Sequence, residues 1–355
     1  MNDQIRMIAD LSDAFGAPGF EDEVIEKVRG YAEGLGEIRE DHMRNLYIHR
    51  SGNTGDRPVV QLDGHSDEVA FMVQAIKPNG MLRFVPLGGW VPANVAAHRV
   101  WVLSDSGKWL PGIIASNPPH FMSEAERKAP PALESMVIDL GVTSREETLA
   151  LGISIGAPVV PDVTFEYWEE QGLMQGKAFD NRLGCCAVIE ALRRLQHEDL
   201  AVDLVGTISA QEEVGCRGAE VTAQVVEPDV AIVFEGCPAD DTFTEGYMIQ
   251  TALKKGPMLR HVDKRMITNP RFQKLALQTA KECGIPAQTS VRTGGGTDGG
   301  PIHLAEKAVP CIVMGIPVRY AHTHYCLSAL SDFEASVQLA VEIIKKLNEE
   351  VIAKL

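Results

Sequence analysis

Val205-Gly206-Thr207-Ile208-Ser209-Ala210 runs directly into Gln211-Glu212-Glu213-Val214-Gly215, so an apolar segment of strand character ends on two adjacent carboxylates. A strand sends neighbouring side chains to opposite faces, and at least one of Glu212 and Glu213 is expected to meet the interior. An unpaired charge there is costly, and a bound cation would remove the cost. An isolated pair of glutamates at a loop start is ordinarily solvated. What alters the reading of this pair is the rest of the chain.

On both sides of the stretch, strands and helices alternate. Upstream, residues 21–35 place Val24, Ile25, Val28, Tyr31, Ala32 and Leu35 on one helical face, and strands are expected at 45–49 and 58–62. Downstream, a helix is expected at 181–197 and strands at 203–209, 230–234 and 310–314. Asn269-Pro270 opens a helix that ends at Gly284, and Ser331-x-x-Glu334 is read as the start of a long final helix reaching about Leu347. Such alternation predicts a three-layer αβα domain around a central, mostly parallel sheet. Residues 69–163 differ, with short alternating segments broken by Gly and Pro. A hairpin is expected at Asp105-Ser106-Gly107, between Trp101-Val102-Leu103 and Trp109-Leu110. The expected organisation is residues 1–68 plus 164–355 as the main domain, with 69–163 as an inserted β-rich, barrel-like domain.

At 355 residues and 45% hydrophobic content the chain can bury more than one compact core. Its net charge of -16 argues against nucleic acid or an anionic membrane surface as a partner. Seven cysteines without a C-x-x-C spacing do not form a disulfide framework, so a reducing cytoplasm is the expected compartment. No basic, apolar leader opens the sequence and no apolar stretch is long enough to span a membrane.

In open α/β sheets functional groups collect beyond the carboxyl ends of strands. His65 and Asp67 follow one expected strand, Glu212 and Glu213 a second, Glu235 a third and His322 a fourth, while Asp180 stands at a helix start. Alone, Asp180 could be only a helix cap, and either histidine only a satisfied core group. Together, two imidazoles and several carboxylates suit divalent ions such as Zn, Co or Mn. If Asp180 bridges two ions while Glu213 and Glu235 each bind one, four positive charges face three negative ones. A net positive site lowers the pKa of water, to about 7 in the best cases. Glu212 would then be free to accept a proton, and Asp67 would orient the His65 ring from the same strand face.

Over essentially its whole length the chain resembles the cytosolic dinuclear metallo-aminopeptidases that include glutamyl aminopeptidase and the tetrahedral (TET) aminopeptidases. The resemblance is carried by His65-x-Asp67-Glu68, Gly176-Lys177-Ala178-Phe179-Asp180-Asn181-Arg182 and Gln211-Glu212-Glu213-Val214-Gly215-x-Arg217-Gly218-Ala219. Gly294-Gly295-Gly296-Thr297-Asp298 and Arg319-Tyr320-Ala321-His322 complete it. It implies that His65, Asp180 and Glu235 hold one metal, and that Asp180, Glu213 and His322 hold the other. It further implies Glu212 as general base, Asp67 as supporting catalytic acid and peptides as substrates. The insert at 69–163 would be a dimerisation domain, with dimers assembling into a twelve-subunit tetrahedral homo-oligomer; Trp90 and Phe121 would be consistent with an interface.

Two positions depart from the family pattern: Glu235 stands where most members have Asp, and His324 where a Pro or small residue is usual. Glu235 remains a ligand in this reading, while His324 is a candidate substrate contact or alternative ligand. A glycosidase using paired carboxylates, or a catalytically silent metal-binding scaffold, are the alternatives to a peptidase.

Overall fold

In the computed structural model, which describes residues 2–355 apart from the side chain of Glu126, the strand Val230–Pro238 shows how the chain layers. Its pleat sends Val230, Ile232 and Phe234 into a large apolar cluster, and Ala231 and Val233 into a smaller one on the opposite face. A strand apolar on both faces belongs in the middle of a covered parallel sheet. Helices Asp3–Asp13, Asp22–Tyr31, Phe179–Leu195, Pro270–Cys283 and Leu330–Lys346 contribute to the large cluster. Arg217–Val226 and Gly299–Ile302 contribute to the other.

Four strands pair in parallel at the centre, in the order Asp203–Ser209, Val59–His65, Val230–Pro238, Cys311–Arg319. Antiparallel strands extend both flanks of this sheet of eleven. Leu46–Arg50 and Gly36–Glu40 lie on one side, and Cys326–Ala329, Leu173–Gly176 and Glu166–Trp168 on the other. A separate closed barrel is formed by Ala70–Ile76, Leu82–Leu87, Val137–Asp139, Trp109–Ala115, Arg99–Leu103 and Pro158–Pro161. It has its own core, with Phe71, Phe84, Val100, Val102, Ile114 and Val159 at the centre. The hairpin expected at Asp105-Ser106-Gly107 is present, with Gly107 at φ +80° where the turn needs a left-handed residue.

Several expectations shift. The final helix begins at Leu330 with Ala329 as its cap and no side-chain capping bond, so Ser331 lies inside the first turn. The strand Cys326–Ala329 runs straight into that helix and leaves no loop for a capping box. The helix Arg217–Val226, absent from the sequence reading, starts after a left-handed Cys216 without a side-chain cap, and so carries no start signal. All seven cysteines are free. Among the described residues no helix is long and apolar enough to cross a membrane.

One buried ionic cluster ties the ends of several elements together. Glu68 accepts bonds from Lys177 Nζ at 2.6 and 2.9 Å, from Arg182 Nη2 at 3.1 Å and from the Gly16 amide at 3.2 Å. Arg182 also donates to the carbonyls of Ser66, Leu11 and Ala14. The loop after Val59–His65, the approach to Phe179–Leu195 and the end of the first helix are thereby locked at one point. Removing one partner from such a buried set leaves charge uncompensated, which typically costs about 3–5 kcal/mol. Glu68→Ala is therefore expected to lower unfolding free energy by roughly that amount, read by urea denaturation; a loss near zero would show that the cluster does not lock these elements.

Candidate metal centre

His65 closes its strand beside Ser209, with which it is in parallel register. The helix Phe179–Leu195 packs directly on this strand, since a Cβ on Gly64 would come within 2.9 Å of the Gly184 backbone. That helix is broken at Asp180 and Asn181, whose backbone angles are not helical. Asn181, not Asp180, does the capping: its Oδ1 accepts from the Gly184 amide at 3.0 Å and its Nδ2 donates to the Phe234 carbonyl at 2.9 Å. The Asp180 carboxylate is thus left to face the strand ends. Gly236 lets the next strand pass, because a Cβ there would stand 2.5 Å from the Asp180 Cα.

Glu212 and Glu213 lie beyond the strand, in a loop that turns at Gln211 with φ +57°. Strand alternation therefore does not separate them, and both carboxylates point to the same centre. Asp67 also lies past its strand, which ends at His65, so the expectation that the two share a strand face does not hold. Its carboxylate instead accepts the Glu212 amide at 2.8 Å and the Glu213 amide at 3.0 Å, while one oxygen stands 3.4 Å from His65 Nδ1. His322 comes from the hairpin between Cys311–Arg319 and Cys326–Ala329.

The seven sequence-predicted residues converge. His65 Nε2 lies 3.2 Å from Asp180 Oδ1, 3.7 Å from Glu235 Oε1 and 3.8 Å from Glu212 Oε2. His322 Nε2 lies 3.3 Å from Asp180 Oδ2 and 3.6 Å from Glu213 Oε2. Two groups of three donors result, His65, Asp180 and Glu235, then Asp180, Glu213 and His322, each with its ligand atoms within 4.8 Å of one another. Donors held about 2.0–2.2 Å from one tetrahedral ion are spaced in this range. Glu213 Oε1 and Glu235 Oε2 are buried without a hydrogen-bond partner, so the pocket contains acceptor capacity that the protein itself does not use. Donor chemistry, spacing and orphaned oxygens all fit divalent cations.

The centre opens into a cavity of about 460 Å³, whose far wall includes Arg260, Arg265, Arg292 and the Gly294–Gly296 loop. Asp263 pairs with Arg260 at 3.0 Å and Asp240 with Arg292 at 3.3 Å. Nothing in their sequence surroundings singles these arginines out. A further set, Glu212, Cys216 and Asp298, adjoins the centre, with the Cys216 thiol donating to Glu212 Oε1 at 3.1 Å. His324 belongs to neither donor group; it is buried against the barrel, where its ring stacks on His98.

The model of the M42 glutamyl aminopeptidases matches residues 44–339. The chain belongs to this family. The glutamyl aminopeptidase of Lactococcus lactis is 31% identical to it over 97% of this chain and 97% of its own length. The crystal structure of a TET aminopeptidase from a marine-sediment thaumarchaeote superposes with a TM-score of 0.95 at 37% identity, covering 99% of this chain and 98% of the other. Pyrococcus horikoshii TET1 peptidase, which can assemble into a tetrahedron or a large octahedral shell, gives 0.86 at 26% identity over 97% and 100% of the two chains. This M42 peptidase is accordingly an aminopeptidase, a hydrolase acting as an exopeptidase, in a metal-dependent family. Family membership supports the peptidase over the glycosidase and the silent scaffold.

The electrostatics of the M42 site describe a place crowded with carboxylates. Burial raises Glu235 to about 8, with the Asp180 charge adding to the effect. Burial likewise pushes Glu213 well above the usual carboxylate range and raises Glu212. For His322 burial works the other way, but the charges of Glu213 and Asp180 outweigh it and lift the imidazole to about 10. Asp180 is held low because its bonds to His322 and His65 overcome burial. At neutral pH Glu235 and His322 therefore hold protons that a cation would displace, and affinity should rise with pH as Glu235 and then His322 give theirs up. Loading the metal-free protein with Zn²⁺ near pH 7 is expected to release protons, read by calorimetry in buffers of differing ionisation enthalpy. Binding without proton release would show that the cation does not take these donors.

Proposed function

We propose that this aminopeptidase removes N-terminal residues from peptides at a dinuclear centre, with Glu212 as general base. The observation that carries the reading is the placement of Asp180, whose two carboxylate oxygens face different histidines, Oδ1 at 3.2 Å from His65 and Oδ2 at 3.3 Å from His322. In this reading His65, Asp180 and Glu235 hold one divalent ion, Zn, Co or Mn, and Asp180, Glu213 and His322 hold a second. When bound, such ions would polarise the scissile carbonyl and lower the pKa of an attacking water.

The chain's own groups do the remaining work. Glu212 belongs to neither donor group and lines the cavity, and its burial-raised pKa suits it to take a proton from water and deliver it to the departing amine. Asp67 is wholly buried, so its part is positioning: it holds the amides of Glu212 and Glu213 and faces the ring of His65. Carboxylates around the centre attract a free peptide ammonium group, which places the first peptide bond at the reacting groups. We also infer that the barrel, where Phe121 is 77% exposed, mediates dimerisation. The dodecamer of PhTET1 and the tetrahedral assembly of Pyrococcus horikoshii TET1 support a twelve-subunit particle built from six such dimers. Seven unpaired thiols are consistent with a cytoplasmic location.

Two experiments test the reading. Acetylating the N-terminus of a good peptide substrate should abolish cleavage; internal cuts in the acetylated peptide would contradict it. Glu212→Gln should keep nearly two equivalents of metal while turnover falls roughly 10²- to 10⁴-fold, the usual worth of a positioned base. Glu213→Gln should lose metal and activity together and recover in part when metal is in excess. A reversal of the two patterns would exchange the roles of these neighbours, and a wild-type protein that never exceeds one equivalent would remove the bridging role of Asp180.

A further inference from the structure

His322 is poorly held by its own hairpin. Its side chain is 38% exposed, and both it and Tyr320 adopt left-handed backbone angles, φ +61° and +62°, that residues other than glycine rarely take without outside support. The support comes from the barrel. The Gly89 carbonyl lies 2.8 Å from His322 Nδ1. That contact sets Nδ1 as the donor and leaves Nε2 free to face Asp180 and Glu213. The approach depends on missing side chains, since a Cβ on Gly89 would stand 3.1 Å from His322 Nδ1 and one on Gly88 would stand 3.0 Å from Glu213 Oε2.

The next residues continue the contact. Trp90 is fixed to the barrel, its Nε1 donating to the Ala70 carbonyl at 3.1 Å and its ring stacked on Phe71 at 4.6 Å. His324, two residues after His322 and 1% exposed, packs between Trp90 at 5.1 Å and His98 at 3.9 Å, nearly parallel to the latter at 11°. His98 is itself oriented by a contact of 3.0 Å from Nδ1 to the Ala96 carbonyl. Phe71, Trp90, His324 and His98 therefore form one chain of ring contacts, stacked at both ends and tilted by 56° where Trp90 meets His324, with three rings supplied by the barrel and one by the hairpin that carries His322.

We propose that His324 is a positioning residue: clamped between Trp90 and His98, it lets the barrel set the orientation of His322 in the metal centre. This rests on the reading of His322 as a metal ligand. It gives the ring at 324 a task that neither coordination nor substrate contact would give it, and it makes the centre depend on the inserted barrel as well as on the main sheet. Stacking needs a flat ring and no particular nitrogen, so phenylalanine should substitute for His324 and alanine should not.

The test is calorimetric titration of the metal-free full-length protein with Zn²⁺. His324→Ala is expected to weaken one of the two equivalents by roughly 10- to 100-fold, the usual effect of losing a group that orients a ligand, with the other unchanged. His324→Phe should bind like the wild type, and His98→Ala should reproduce the His324→Ala defect from the barrel side. Hydrogen exchange in residues 320–325 of the metal-free protein should quicken in both alanine variants, a readout independent of catalysis. If His324→Ala and His98→Ala bind both equivalents normally while His322→Ala loses one, the clamp is refuted and the metal-centre reading stands. If both alanine variants lose both equivalents in step with thermal stability, His324 is only a core residue and the proposal fails. If His322→Ala itself changes neither equivalent, His322 is not a ligand and the clamp falls with it.

Discussion

A single buried carboxylate shared between two imidazoles organises this molecule. Asp180 can serve both His65 and His322 only because the helix that carries it breaks at its first turn, with Asn181 taking over the capping. Around it stand Glu212, Glu213 and Glu235, each raised by burial and by the charge of Asp180 and other nearby carboxylates. Such a gathering is unfavourable without cations or protons to balance it, and its orphaned oxygens mark where that balance is incomplete. The main sheet supplies the rigid frame, since three central strands deliver His65, Glu235 and the hairpin of His322 from parallel neighbours.

A second ionic cluster, separate from the first, keeps the frame in register. Glu68 follows Asp67 by one residue and Lys177 precedes Asp180 by three, so the bonds among Glu68, Lys177 and Arg182 fix the two segments that carry functional groups. Neither Lys177 nor Arg182 lines the cavity, so this buried positive charge stabilises the fold without occupying the place where a metal would bind. On the open side the barrel contributes Gly89, so the rim belongs to both parts of the chain.

Much of this was legible in the amino-acid order. Apolar runs at 203–209 and 230–234 appear as central strands, the Asn269-Pro270 cap and Gly284 bound their helix as expected, and the expected barrel-like β-rich part is present as a closed barrel of six strands. The residue types His65, Asp180, Glu213, Glu235 and His322 at element ends already implied divalent cations, because imidazole and carboxylate chemistry is local to each side chain. Less visible were elements without boundary signals, such as Arg217–Val226, and the antiparallel flanks, which depend on hairpins whose partners lie far away in sequence.

The sequence by itself determined which groups were available and near which strand ends they would lie. Only the tertiary structure decided how they divide. It showed that Glu212 and Glu213 face the same way, because a left-handed Gln211 takes them off the strand. It showed that Asp67 grips their amides and that His324 joins neither donor group but packs against the barrel rings of Trp90 and His98. The physical reason is the same in each case: the direction of a loop side chain is set by contacts with residues distant along the chain, which neither periodicity nor residue chemistry records.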